Sequence, residues 1–467
     1  MIIHIRNFGK IESADIDLGN LTIFVGENNS GKTYLMQLVY GLISFFNEKE
    51  FIQHFSQFEL PYHNKEIVRD IFETNFDDIS CNIIQIKAND SNFYNHFQNE
   101  LNRFIDENKN RIIEKTFNTR DLNIGSLYIE FGDIHNDFSV KYEQVTPYIS
   151  KNRFNFLIQK NGTVAYSAGF PKNFHYNAVN KILHFEILDI ILFELLGIHQ
   201  YKLMDDIEPI LYLPASRSGL MLLYTNFLAD RKDINIENVE INNSDNQISE
   251  NEYGLTKPIY DFLIFLLKYR TSEMISDEDR EIISFINENI INGTMEKNGT
   301  TLRYKPNSSE KSLPIFLSSS LVSELSPIYQ ILSGIQKYNF ILYDEIETCQ
   351  HPTKQLQLAR LLVRMINAGY KMVVSTHSDT MAAAINNLIT ISFKEKKDEL
   401  IAKLGYEKED MLESANVKAY QFIIKDGKTK VEEVKSHFSV GVGFDFNIFN
   451  YTNDKIYQDA VEIAEVE

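Results

Sequence analysis

Eight residues near the start of the chain, Gly26–Thr33 (GENNSGKT), have the make-up of a phosphate cradle. A polyphosphate tail is polyanionic, and a glycine-bearing loop that opens a helix turns consecutive backbone N–H groups toward it. Gly26 and Gly31 permit the tight path and the close approach, while Asn28, Asn29 and Ser30 fill the turn between them. Lys32 supplies a cation for the terminal phosphates, and the Thr33 hydroxyl is a ligand for Mg²⁺. The spacing G-x-x-x-x-G-K-[ST] therefore predicts ATP and Mg²⁺ as cofactors, bound by these residues.

Two further segments suit the same chemistry. In FILYDEIETCQHP, Phe340–Pro352, four apolar residues deliver Asp344 and Glu345 to the end of a strand, where ligands sit in open α/β sheets. Asp344 is placed to hold Mg²⁺ and Glu345 to polarise an attacking water, with Glu347 as the next candidate for that base. In MVVSTHSDTM, Met372–Met381, a second apolar strand ends at Ser375-Thr376-His377, and His377 can hydrogen-bond the γ-phosphate and the water. Phosphate loop, Asp-Glu pair and histidine together predict hydrolysis of ATP, with Glu345 and His377 as the catalytic residues.

The elements that must position these groups follow from hydrophobic periodicity. Leu21–Val25 reads as a central strand, with a helix from Lys32 burying Leu35, Leu38 and Val39. Phe340–Tyr343 and Lys371–Ser375 read as short buried strands, with a Gln355–Ala368 helix between them. Ile2–Ile5 and Ile11–Leu18 read as two leading strands, and Ala419–Ile424 with Thr429–Val434 as a closing hairpin around Asp426-Gly427. Residues 48–118 read as helices of unfixed register. Ser126–Phe131 and Phe138–Gln144 suggest one hairpin, Asn155–Gln159 and Thr163–Tyr166 a second around Asn161-Gly162, and Asn177–Leu196 a long helix. Helices are expected at 257–270 and 277–291, and a polar flexible loop at 231–254. The expected organisation is residues 1–44, the N-terminal part of a nucleotide-binding head; 45–200, an inserted α+β lobe; 201–310, a connecting segment with a helical insertion; 311–453, the C-terminal part of the head; and 454–467, an acidic tail.

Composition narrows the classes. A net charge of −19 argues against a surface broadly coated for nucleic acid, though not against a local basic groove. The longest apolar runs are interrupted or too short to span a bilayer, and the N-terminus lacks the pattern of a secretory signal. The two cysteines, Cys81 and Cys349, give neither a disulfide framework nor metal-ligand spacing, so a reducing cytoplasm is expected. No zinc cluster, HNH nuclease pattern or Ser-His-Asp arrangement is evident, and the roughly 90 residues after His377 are expected to hold no Toprim nuclease.

Thr33 and Asp344 stand more than 300 residues apart, whereas many hexameric AAA-plus proteins place these motifs much closer. With IRNFGKI at the start, DEIETCQHP and STHS, the sequence resembles the SMC–RecF–OLD branch of ABC ATPases over residues 1–40, 209–220 and 311–395. The resemblance implies an α/β fold: an ABC-type P-loop ATPase head with a large α+β insertion between the phosphate loop and a signature helix. It also implies a homodimer or higher homo-oligomer in which each signature loop caps the other chain's γ-phosphate. The matching segment is FLSSSLVSEL, Phe316–Leu325, where Ser318, Ser319 and Ser320 offer hydroxyls and a helix N-terminus, although the family's glycine is absent and Ser320 stands in its place. YLPASRSGL, Tyr212–Leu220, is similar to a segment of bacterial OLD-like ATPases encoded with defence genes; Arg217 could reach the nucleotide, couple it to the insertion, or be an ordinary loop arginine. The leading functional expectation is the ATPase subunit of a prokaryotic anti-phage system, similar to PARIS-type or Septu-type defence, that controls a separate nuclease or toxin. The alternative is a RecF-like DNA-repair or chromosome-maintenance ATPase that clamps DNA, and a third class is an ATP-gated scaffold with little turnover.

Overall fold

The computed structural model describes residues 1–58, 60, 81–132, 136–143, 153–171, 176–196, 207–215, 217–222, 254–298, 301–412, 417–437, 442–446, 455 and 457–463. Its frame is a nine-stranded mixed sheet. One half is parallel: β9 (Ile207–Leu213), β13 (Lys337–Tyr343), β14 (Lys371–Thr376), β3 (Leu21–Gly26) and β15 (Val417–Lys425), in that order. The other half runs through β16 (Lys428–Glu433), β2 (Ile11–Asp17) and β1 (Ile2–Phe8) to β5 (Ile124–Glu130), and its pairings are antiparallel except β16 with β2. All six residues of β3 and of β14 are buried, as expected of strands covered on both faces.

Alternation within each strand feeds two cores. Phe24, Tyr212, Phe340, Leu342 and Val373 point to one face; Ile23, Val25, Leu213, Ile341, Tyr343 and Val374 point to the other. The first face is covered by α1 (Lys32–Phe45), α2 (Lys49–Phe55), α3 (Ser91–Phe117) and α4 (Tyr176–Leu195). The second is covered by α5 (Lys257–Lys268), α6 (Asp277–Phe285), α7 (Ser320–Ser333), α8 (Pro352–Asn367) and α9 (Asp379–Ser392), while α10 (Lys397–Leu404) lies at the periphery. The chain is thus a mixed α/β fold with a P-loop-type core and additional helical and strand insertions.

The additional strands form separate sheets: β4 (Cys81–Ile86), β6 (Phe138–Glu143), β7 (Arg153–Lys160) and β8 (Thr163–Pro171) in one; β10 (Gly293–Asn298), β11 (Thr301–Pro306) and β12 (Leu313–Pro314) in a second; β17 (Ser436–His437) and β18 (Val442–Phe444) in a third. The β7–β8 hairpin turns at Asn161 and Gly162, both with positive φ, and the β15–β16 hairpin at Asp426 and Gly427 likewise, as the two-residue turn demands. The expected hairpin of Ser126–Phe131 with Phe138–Gln144 does not form. Instead β5 pairs with β1 at the edge of the main sheet, and β6 lies between β4 and β7. The 277–291 helix ends as a π-helical turn over Ile286–Ile291. The expected loop at 231–254 lies outside the described residues except for Gly254; in the acidic tail, residues 457–463 are helical. Among the described residues no helix is long and apolar enough to cross a membrane.

Candidate nucleotide site

The phosphate loop begins where β3 stops. A Cβ on Gly26 would come within 2.8 Å of Cβ of Phe422 on the neighbouring strand, so only glycine lets β15 pass alongside. Gly31, at φ +100°, turns the chain into α1. That helix has no side-chain cap and no acidic residue in its first turn, which leaves its N-terminal N–H groups for an anion. Asn28 and Asn29 are exposed on the loop, and Ser30 is buried beneath it, donating its N–H to the Glu27 carbonyl at 3.3 Å. Lys32 lies back over the loop. Its Nζ donates to the carbonyls of Gly26 and Glu27, each at 2.9 Å, and to Oγ of Ser30 at 3.3 Å. Burial pushes its ammonium down to about 8, against the opposing pull of Asp344, Glu345 and Glu347.

Strands β13 and β14 end beside this loop and bring the remaining groups to it. Asp344, fully buried, accepts from the Thr33 hydroxyl at 2.7 Å and the Tyr212 hydroxyl at 2.8 Å through Oδ2, and from Ser375 Oγ through Oδ1. Two hard oxygens thus converge at Thr33 and Asp344, a donor set that fits Mg²⁺. Burial, and then the charge of Asp344, raise Tyr212 well above the ordinary phenol range, so it remains a proton donor to the carboxylate.

Glu345 sits in the left-handed region at φ 45°, which costs a non-glycine residue about 1–3 kcal/mol and requires its surroundings to enforce it. Its N–H donates to Ser375 Oγ at 2.8 Å, and its carboxylate accepts from Thr348 at 3.4 Å. The His377 imidazole, with Nε2 at 3.6 Å from Oε1, holds the Glu345 carboxyl below the usual carboxylate range. On its other side His377 turns Nδ1 toward Lys32 Nζ at 3.4 Å. An ammonium can only donate, so Nδ1 is the acceptor and Nε2 carries the proton facing Glu345. Glu347, the reserve candidate for the base, instead accepts the His377 backbone N–H at 2.6 Å and so fixes where the histidine stands.

The fold therefore brings Gly26–Thr33, Asp344, Glu345 and His377 together from three parallel strands. Among the described residues no hydrogen bond or ion pair joins Ser318, Ser319 or Ser320 to them. They begin α7 with Ser319 as an extended N-cap that makes no capping hydrogen bond, and Ser319 and Ser320 are exposed. Among the described residues, the hydrogen bonds of this serine loop stay within Ile315–Ser323. Arg217 does not face the phosphate loop: it is buried against the backbone of Asp344 and Glu345. Tyr212, Ser375 and Gln37, whose Nε2 lies 3.4 Å from the Tyr212 hydroxyl, are contributors that motif reading passed over. For Tyr212 and Ser375 the available signal was a polar residue inside an otherwise apolar strand end, and for Gln37 a polar residue among the buried apolar ones of α1.

A family model described as the AAA ATPase domain matches residues 1–382. No curated protein matches the chain. Solved structures with similarity include an SmcHead bound to the C-winged helix domain of ScpA, at 10% identity and TM-score 0.36, covering 94% of this chain and 99% of that one. An SMC head domain from Thermotoga maritima matches at 10% identity and TM-score 0.32, over 93% and 98% of the two chains. A Smc head domain with an extended coiled coil, bound to the C-terminal domain of ScpA derived from Pyrococcus furiosus, matches at 11% identity and TM-score 0.32, over 99% of each.

Proposed function

The chain belongs to the AAA ATPase domain family and is an ATP hydrolase, and from that premise we propose that it works as an ABC-type head that closes on ATP as a head-to-head homodimer. The observation that carries this reading is the serine loop. An uncapped, exposed helix N-terminus is good anion-binding chemistry, yet among the described residues no hydrogen bond joins it to its own chain's phosphate loop, which suits capping of ATP held by a second copy. Within one chain, the Gly26–Thr33 amides and Lys32 hold the phosphates. Thr33 and Asp344 hold Mg²⁺, which when bound supplies Lewis-acid charge at the phosphate oxygens. Tyr212 and Ser375 fix Asp344. Ionised Glu345 accepts the proton of the attacking water, and His377, locked by Glu347, orients that water with its Nε2 proton.

The output proposed first is action on DNA, in the manner of a RecF-like repair or chromosome-maintenance ATPase in the cytoplasm. Despite the net negative charge, Lys10, Lys425, Lys428 and Lys430 are exposed around one end of β15–β16 and β2, outnumbering Glu12, which lies 3.8 Å from Lys430, and Asp426 in the turn. It is the end toward which β3 delivers the phosphate loop, because Phe422 pairs with Gly26 and Ile11 packs under Gly31. A basic cluster beside the closing face is what backbone contact with a duplex needs. A second reading, favoured by the YLPASRSGL segment, is a sensor subunit of anti-phage defence that holds a separate nuclease or toxin.

Light scattering of the Glu345→Gln variant tests the head reading: ATP should convert monomer to dimer, and a persistent monomer would sink it. Duplex binding by that dimer, lost on changing Lys425, Lys428 and Lys430 to Glu, supports the DNA output. DNA-independent co-purification of the product of a neighbouring gene, altered by ATP, would replace it with the effector reading.

A further inference from the structure

A buried ion pair bridges the serine helix and the turn that carries Glu345. Glu324, in the second turn of α7, is 1% exposed; its Oε1 accepts the Ser218 N–H at 3.1 Å, and its Oε2 lies 2.7 Å from Nε of the fully buried Arg217. The other end of that guanidinium grips backbone. Nη1 donates to the carbonyls of Pro214 at 2.8 Å and Asp344 at 2.7 Å, Nη2 donates to the carbonyl of Glu345 at 3.3 Å, and the plane lies 4.5 Å from the centre of the Tyr343 ring.

We infer that Arg217 and Glu324 are positioning residues that transmit the placement of the serine helix to Glu345 of the same chain, so that ATP capped at one site of the dimer sets the catalytic carboxylate at the other. The inference rests on the head-dimer reading above. Two charges removed from water are tolerable only while paired, so a shift of α7 must carry Arg217 with it or strand both ions. Glu345 holds a left-handed backbone that persists only while it is over-determined. Its N–H is held by Ser375 and its carbonyl by Arg217 together with the Thr348 N–H at 3.1 Å, so withdrawal of the guanidinium leaves the carbonyl on the Thr348 turn alone and lets the peptide relax toward negative φ, swinging the carboxylate away from His377. In a head-to-head dimer the serine loop of each chain meets its partner's nucleotide. The same helix therefore reads one site and supports the other, and turnover should be cooperative in ATP.

The test uses Glu324→Gln, which keeps the shape and the Ser218 contact but drops the charge, and Arg217→Lys, which keeps the charge but cannot span carboxylate and carbonyls together. Both should fold, bind ATP with KM within about threefold of the parent and dimerise. Their kcat should fall at least about tenfold, and the Hill coefficient should drop from above 1 to about 1. A purely structural pair would lower the melting temperature without moving the Hill coefficient. A folded, dimerising Glu324→Gln protein with the parent's kcat and Hill coefficient overturns the inference.

Should the variants not fold, the intact pair can be probed in a mixed dimer. Isotopically heavy Lys32→Ala chain, which cannot hold its own ATP, is combined with light Glu345→Gln chain and ATP. Backbone amides at 343–349 of the heavy chain should exchange more slowly once the dimer forms, and unchanged exchange in a formed dimer overturns the inference. Absence of any ATP-dependent dimer is a different result, one that overturns the head-dimer reading beneath it.

Discussion

The ends of β3, β13 and β14 and the region around α2 and α3 are both densely buried, but they are buried with different atoms. At the strand ends the interior is polar: Lys32, Asp344, Ser375 and Arg217 are all removed from water, and each is held by named partners. Around α2 and α3 the interior is aromatic. Phe51, Phe55, Phe58, Phe97 and Phe104 pack against one another in tilted and edge-to-face pairs at ring separations of 4.5–6.0 Å. Polar burial is costly unless every group is satisfied, so it recurs where chemistry needs charges held still. Aromatic burial is favourable in many arrangements and secures mass and stability. Substitution at Lys32, Glu345 or Tyr212 in the first region should therefore cut turnover at modest cost in stability, and substitution in the second should do the reverse.

The sharpest break expected on the polar side is Lys32→Ala. It removes the cation that the loop folds around, and ATPase activity of the purified variant should fall to background. Glu345→Gln comes next: ATP binding persists, while turnover drops about 10²–10⁴-fold, the range for loss of a general base. Normal turnover would shift the role to Glu347, although its bond to the His377 N–H argues for an anchoring task. Smaller still is Tyr212→Phe, which deletes one of three side-chain donors to the Asp344 carboxylate and leaves the strand apolar and filled. Turnover should fall about tenfold, the scale of one hydrogen bond to a charged group, with Mg²⁺ dependence shifted to higher concentration.

The pH dependence refines the same contrast. Phosphate binding needs Lys32 protonated, and burial places its loss of charge in the free protein near 8. As pH rises through about 8, kcat/KM should decline toward a tenfold loss per unit, because that ratio reports the free protein. Bound phosphates favour the ammonium, so kcat itself should hold to higher pH. A flat kcat/KM between pH 7 and 9.5 would mean that Lys32 keeps its charge despite burial.

The two regions also differ in how far their sequence can be read. At the strand ends local chemistry is specific: GENNSGKT, the Asp344-Glu345 pair and the strand before His377 each state a residue type, a spacing and an element, and the fold assembles them. What stayed hidden there was tertiary. Tyr212 reaches Asp344 only because β9 pairs with β13 in the register that sets Tyr212 beside Leu342. Likewise Arg217 meets Glu324 across 107 positions, and no local pattern links them. In the aromatic region even the partners of the strands were open. Ser126–Phe131 and Phe138–Gln144 both alternate, but alternation gives the face and not the neighbour, so β5 could join β1 while β6 joined β4 and β7. Cys81–Ile86 is a strand within a stretch read as helical, since six residues are too few for periodicity to decide.

The smallest expected effect on turnover comes from the aromatic side, with Phe55→Ala. Phe55 is fully buried, with its ring at 4.5 Å from Phe51, 5.7 Å from Phe97 and 5.9 Å from Phe104. Truncation leaves a cavity among rings too large to close over it, and should cost about 3–5 kcal/mol of stability. Among the described residues no hydrogen bond, ion pair or ring contact joins its ring partners to Lys32, Asp344, Glu345 or His377, and they share a core with α1, the helix that follows the phosphate loop. Chemical denaturation should therefore show a clearly lowered midpoint, while kcat per folded molecule stays within about twofold of the parent. The measurement must be made well below the melting temperature, so that lost activity is not lost protein. A fall in kcat as large as that of Tyr212→Phe would join the aromatic packing to the site through α1, and the division between a region that reacts and a region that supports would no longer hold.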